Sequence, residues 1–291
     1  MKGRGLFYVG HRQKQVSRGS SGGLERAGAG LALVIGLLLA ACSSPEEVFE
    51  QADGLSTEKV SEAAKPEAVT FEDDAEQDGG NRDFSYAWPA EVSAIPALAE
   101  SFAAERDAIL AEQKSDFQGA LAEFPGEDCV SCKSLDFSKD WQVVTNLPRF
   151  LSLSATISLY TGGAHGNSGF EALVWDREVE AGYDPKAMFS SEAALQDALG
   201  VAWCKALKAE KVAKMGADAD NDTFFPCPPI ADLALLLGSS DKKAFNRVGL
   251  IAAPYVAGSY AEGPYEVTLP VTQAVLQAVK PEYREAFALA K

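Results

Sequence analysis

Histidine is scarce in this chain. His11 and His165 are the only two among 291 residues, so mechanisms that depend on a pair of histidines are excluded. Basic residues are also in deficit, with 26 Lys+Arg against 42 Asp+Glu, a net charge of −16 and a pI near 4.6. A surface this acidic repels phosphate backbones, which removes nucleic acid as a primary partner. No apolar run reaches the roughly 20 residues a membrane-spanning helix needs; the longest, from Ala27 to Ala41, has 15. His-Glu-x-x-His, Gly-x-Ser-x-Gly and phosphate-binding glycine motifs are absent, and there is no internal repeat. What remains is an ordinary globular balance, 47% apolar and 23% charged.

The amino end reads as a targeting segment. Lys2, Arg4, Arg12, Lys14, Arg18 and Arg26 face the single acid Glu25, and the short apolar run follows directly. It closes with Leu39-Ala40-Ala41-Cys42-Ser43, which resembles the bacterial lipobox. That resemblance implies removal of residues 1–41, coupling of the Cys42 thiol to diacylglycerol and acylation of the new amino end. Several acyl chains on one residue give the stable membrane anchoring that one alone does not. The expected location is the cell envelope; Ser43 after the cysteine implies the periplasmic face of the outer membrane where a cell has two membranes. The processed chain keeps 20 Lys+Arg and 41 Asp+Glu, a net of −21, and its field favours cationic partners within the screening length of the salt.

Residues 42–83 read as a disordered tether. Between Ser43 and Arg82 stand 12 acids against Lys59, Lys65 and Arg82, with Phe49 and Phe71 as the only aromatics. Such a segment buries too little apolar surface to offset its ordering entropy. Residues 84–291 then suffice for one sizeable core. A short strand is expected over Phe84–Trp88, and a helix carrying Ile95, Leu98, Phe102, Ile109, Phe117 and Leu121, with Ser93 as its cap. Leu151 to Tyr160 alternates with period two, and Phe170–Trp175 follows a glycine-rich turn, which predicts an antiparallel hairpin. Ser191–Lys214 is helical in pattern. Leu233–Leu237, Val248–Ala252 and Tyr265–Leu269 are strand-like, and short helices close the chain. The fold class is α+β: an antiparallel sheet packed by helices in a single domain.

Apart from Cys42, the cysteines are Cys129, Cys132, Cys204 and Cys227. An even number in an exported chain favours two disulfides, and four cysteines allow three pairings. We favour Cys129–Cys132, which is local, and Cys204–Cys227, which would pin a helix to the loop Pro226-Cys-Pro-Pro229. The Cys129-Val-Ser-Cys132 spacing also suits a redox pair, but it follows a helix end rather than opening a helix. A zinc site would need a second closely spaced pair.

Two loops stand out as binding candidates. Tyr160-Thr-Gly162-Gly163-Ala-His165-Gly-Asn167 lies between the two clearest strands; its glycines permit close backbone approach and His165 can donate or accept. Pro254-Tyr255-Val-Ala-Gly258-Ser-Tyr260-Ala-Glu-Gly-Pro-Tyr265 offers tyrosines with a flat apolar face and a polar tip, suited to sugars or a protein surface. Both stretches, with the strand through Trp175 and the run Tyr265-Glu-Val-Thr-Leu-Pro270, resemble the RsiV-like extracytoplasmic domain family. That family is also represented ahead of the catalytic domain of the peptidoglycan deacetylase PdaC. The resemblance spans about residues 84–290 and implies an α+β fold; in RsiV this domain binds lysozyme as a sensor and inhibitor. RsiV's transmembrane helix and PdaC's zinc-dependent domain have no counterpart in this sequence. The expectation is a non-catalytic binding or sensing module for lysozyme or peptidoglycan, with no cofactor, no metal and no catalytic residue. Two alternatives are an enzyme acting on cell-wall glycan through carboxylates near His165, and an architectural lipoprotein.

Overall fold

The computed structural model describes residues 65–126, 129–216 and 224–290. The expected signal segment, Cys42 and residues 43–64 of the expected tether lie outside the described residues. Seven strands form one sheet: β1 (Val69–Glu72), β2 (Ala75–Gln77), β3 (Gly80–Trp88), β4 (Ser134–Asn146), β5 (Phe150–Tyr160), β6 (Asn167–Asp176) and β7 (Ala181–Tyr183). Their order is β1-β3-β4-β5-β6-β7, with β2 also paired to β3. Three more, β8 (Ala234–Gly238), β9 (Arg247–Ala252) and β10 (Tyr265–Pro270), form an antiparallel sheet in the order β10-β9-β8. The helices are α1 (Ala90–Ser93), α2 (Pro96–Glu123), α3 (Glu192–Met215) and α4 (Gln273–Ala278). Among the described residues no helix is long and apolar enough to cross a membrane.

The pleat divides the large sheet's two faces between two cores. Phe84, Tyr86, Trp88, Trp141, Leu151, Leu153 and Trp175 project to one side and meet Leu98, Phe102 and Leu110 of α2. Phe102 stacks on Trp141 at 4.7 Å. On the other side Phe150 and Val174 join the three-stranded sheet and the Leu195, Leu199, Trp203 and Leu207 stripe of α3. The Ser191 side chain caps α3 by accepting from Ala194 N. Cys204–Cys227 ties α3 to the segment leading into β8, and the Trp203 indole N–H donates to Pro228 O at 3.0 Å beside it. Both disulfide pairings favoured by the sequence are present.

The structure corrects four expectations. Among the described residues strands start at Val69, ahead of Phe84: β1, β2 and the start of β3 occupy the last part of the supposed tether. Composition misleads here because the stretch is ordered by distant partners. Val69 and Phe71 lean on the α2 core, Arg106 lies over the Phe71 ring at 4.4 Å, and Asp73 pairs with Arg82 and Lys114. Second, β3 and β4 are parallel, with α1 and α2 as the crossover, so one βαβ unit sits in an otherwise antiparallel sheet. Third, Ser93 does not cap α2. It ends α1, its hydroxyl accepts from the Trp88 indole at 3.1 Å, and Ile95 precedes Pro96 at the helix start. Fourth, the 13-residue β4 occupies a stretch that the sequence pattern leaves unassigned.

Lys139 explains that omission. It occupies an inward position of β4 between Phe137 and Trp141, where a strand pattern calls for an apolar residue. Its side chain is only 1% exposed, and Nζ lies 2.6 Å from both Glu105 of α2 and Glu171 of β6. The Tyr86 hydroxyl donates to Glu105 at 2.7 Å and accepts from the Trp141 indole at 3.0 Å. Burial, then the charge of Glu105, holds the Tyr86 phenol far above its usual range, so it stays a donor.

The two carboxylates are 38% and 49% exposed, whereas the ammonium is not, and this makes the cluster asymmetric. Removing the lysine leaves carboxylates that water can solvate; removing both carboxylate charges strands a buried cation. Lys139→Met is therefore expected to cost about 1 kcal/mol or less, and Glu105→Gln with Glu171→Gln about 3 kcal/mol. Urea denaturation midpoints of the two variants measure that difference.

Candidate functional site

The first candidate loop joins β5 to β6. Gly162 and Gly163 have φ of +90° and +97°, a region that side chains other than glycine rarely adopt. A Cβ on Gly162 would come within 2.9 Å of Ser131 O, so the loop rests directly on the turn closed by Cys129–Cys132. The Tyr160 hydroxyl donates to Gly163 O at 2.8 Å and fixes the loop from β5. His165 Nδ1 donates to Gly166 O at 2.8 Å, because a carbonyl can only accept. In the neutral ring Nε2 is then the acceptor, and it faces the Tyr255 hydroxyl at 3.4 Å.

The second loop, between β9 and β10, is held by a capping box. Ser259 N donates to Glu262 Oε1 at 2.7 Å, and the Tyr265 hydroxyl donates to Glu262 Oε2 at 2.5 Å. Lys214 at the end of α3 donates to Pro264 O at 2.5 Å and lies 4.3 Å above the Tyr265 ring. Burial works to raise the Glu262 carboxyl, but the bonds from Tyr265 and Ser259 outweigh it and hold it below the ordinary carboxylate range. Tyr255 sits at φ +71°, a left-handed conformation that costs energy in a non-glycine residue and turns its ring outward to 51% exposure.

These two loops meet. His165 stacks on Tyr260 with ring centroids 4.0 Å apart and planes 20° apart, and Tyr260 stacks on Tyr255 at 5.8 Å and 29°. The result is an exposed three-ring stack whose members come from connections of two different sheets. Tyr160, Gly162 and Gly163 shape the His165 side. Asn167 begins β6 and its side chain accepts from Ser168 N at 2.9 Å, so it serves the strand start rather than the stack. Sequence reading missed the Glu262–Tyr265 brace, although Ser259-x-x-Glu262 has capping-box spacing, and missed the seat that the disulfide turn offers Gly162. Chemically the stack presents flat aromatic faces and hydroxyl tips. His165 bonds a carbonyl and a phenol, and Glu262 is spent on Tyr265 and Ser259.

Residues 58–168 match the family model described as Deacetylase PdaC, so the resemblance to that domain family stands. The match takes in the His165 loop and ends at Ser168, leaving the tyrosine loop beyond it. The fold is similar to that of a DUF3298 family protein from Pseudomonas aeruginosa PAO1, at 17% identity and a TM-score of 0.50, covering 77% of this chain and 97% of that one. A DUF3298 family member from Bacteroides fragilis NCTC 9343 is also similar, at 15% identity and a TM-score of 0.43, covering 70% and 89%. At 17% identity the first of these shows a shared fold. No curated protein matches the chain.

Two outcomes are expected from this geometry. Gly162→Ala should cost about 1–3 kcal/mol through its backbone conformation and its contact with Ser131 O. It should also erase the ring-current shift that Tyr260 imposes on the His165 protons in NMR spectra. Glu262 has a folded pKa below its ordinary value of 4.5, so its stabilisation is fully present above that value and is lost as pH falls through the lowered pKa. Hydrogen exchange of the 258–265 amides across acid pH should show this loss, and Glu262→Gln should flatten it.

Proposed function

We propose that this protein is a cell-envelope binding or sensing module without a catalytic role, anchored by acyl chains at Cys42, which takes its ligand on the stack of His165, Tyr260 and Tyr255. The observation that carries the reading is the convergence itself. Tyr255 and His165 lie 90 residues apart in the chain, come from different sheets, and leave aromatic faces open to solvent where a core would have hidden them. Exposed tyrosines on rigidly braced loops suit both the flat faces of sugar rings and a protein surface. Lysozyme and peptidoglycan are the two ligands this reading names. Lysozymes are typically cationic and meet a processed chain of net −21; peptidoglycan offers sugar rings for stacking.

Titration of the processed protein with lysozyme and with soluble peptidoglycan fragments tests the proposal, lysozyme activity being followed in parallel. Saturable binding of one of them is expected, weakened about tenfold or more by Tyr260→Ala or Tyr255→Ala with the circular dichroism spectrum unchanged. Unchanged affinity in both variants, or no binding of either ligand, would sink the assignment. Lysozyme capture should also slow markedly between low and physiological ionic strength.

A further inference from the structure

The outer edge of the seven-stranded sheet is open along most of β6. β5 pairs with the whole strand from Asn167 to Asp176, whereas β7 pairs only with Val174–Asp176. The chain turns away after Tyr183 for a local reason. Pro185 has no N–H to give a ladder, and the Asp184 side chain accepts from Lys186 N at 2.8 Å to start a 3₁₀ turn over Pro185–Met188. Natural sheet edges are guarded by lysine, proline or bulges. Asn167–Leu173 contains no lysine, arginine or proline, and its ladder with β5 runs without a register shift.

The ladder decides which backbone groups face that edge. Arg177 N donates to Arg149 O one step beyond the Phe150–Asp176 pair, so odd-numbered residues of β6 bond β5 and even-numbered ones point outward. β7 takes Val174 and Asp176, and the Asn167 side chain takes Ser168 N at 2.9 Å. The N–H and C=O groups of Phe170 and Ala172 are left without a protein partner among the described residues. A cleft of about 350 Å³ opens at this same stretch, lined by Phe170–Ala172, Asp184, Lys186 and Ala231–Leu235. Glu171 pairs with Lys139, and Lys186 donates to Ala231 O at 2.7 Å, so Asp184 and Asp232 set the sign of the cleft.

We propose that an extended segment of a partner polypeptide adds to β6 along this open stretch, bonding Phe170 and Ala172 in line with β7 and sending a lysine or arginine side chain into the cleft. Donor and acceptor groups recurring every second residue match another extended backbone, and the cleft beside them reads one of its side chains. Charge complementarity with Asp184 and Asp232 selects the basic residue. A second copy of the chain is disfavoured as occupant, because the processed protein carries a net charge of −21. The inference rests on the reading of this protein as a binding module, and it adds a contact through backbone groups that the aromatic stack does not supply.

The test uses the full processed chain from residue 42 and a labelled peptide of alternating valine and threonine with a lysine at each end. A second peptide, N-methylated at every other residue, keeps the side chains but loses the donors on one edge. The first peptide is expected to bind at least about tenfold more tightly than the second. Ala172→Pro removes one outward N–H at a position where no ladder bond is lost, and should weaken the first peptide about tenfold, a loss of about 1.4 kcal/mol. Hydrogen exchange of the parent protein decides the matter even if that variant does not fold. The Phe170 and Ala172 amides should exchange freely without peptide and slow about tenfold or more with it, while Glu171 and Leu173 stay unchanged. Equal binding of the two peptides, or no binding of either, would overturn the proposal. Slow exchange of Phe170 and Ala172 before peptide is added would overturn it too, giving the edge to the chain's own residues or, if the parent dimerises, to a second copy. Loss of the peptide in Tyr260→Ala but not in Ala172→Pro would move binding to the stack, which leaves the proposed function standing and sinks this inference alone.

Discussion

The buried ammonium of Lys139 ties the long helix α2 to the seven-stranded sheet. Lys139 is the cation on the α2 side of β4, and its two carboxylate partners come from different elements, the helix crossing above it and the strand two places away. Phe102 and Leu110 pack α2 onto the sheet, and Phe102 meets the rings of Tyr86, Trp88 and Trp141. The Lys139 charge adds a requirement that a carboxylate stand at one place above the strand. The Tyr86 and Trp141 bonds extend the constraint to β3, so the parallel pair in the sheet is fixed by the same cluster that seats its crossover helix.

The same pleat has a second effect. On β3 and β4 the bases turn inward while their acidic neighbours face the other way, and the segregation is finest at Arg82–Asp83 and Lys139–Asp140, where one step along the chain separates opposite environments. The aromatic stack lies near the same end of the sheet through Tyr160, which pairs with Asp136 in the ladder and bonds the His165 loop. Each loop is braced from behind, one by the Cys129–Cys132 turn and the other by Glu262 and Lys214. Bracing of this kind keeps the rings from collapsing onto the core.

Much of the fold was legible because local pattern and tertiary role agreed. The β5–β6 hairpin, α3 with its leucine stripe, the strand from Tyr265 and both disulfides followed from periodicity, turn residues and spacing. The failures share a physical cause. Val69 to Asp83 reads as a solvated acidic coil, yet Arg82, Lys114 and Arg106 supply its partners from 9 to 41 residues away. The strand β4 is hidden by Lys139, whose neutralising carboxylates are more than 30 residues distant. Of the candidate site, the residue types in each loop were visible, but their meeting was not, since nothing local in either loop encodes the stacking of His165 on Tyr260.

The Cys204–Cys227 bond encloses the carboxyl half of α3 and the segment that follows it in a covalent ring. A protease that cuts once inside this ring opens the chain without releasing either piece. Trp203 remains tied to Pro228, the helix stays seated on β10, and the nick shows only after reduction. The ring converts a severing event into a silent one.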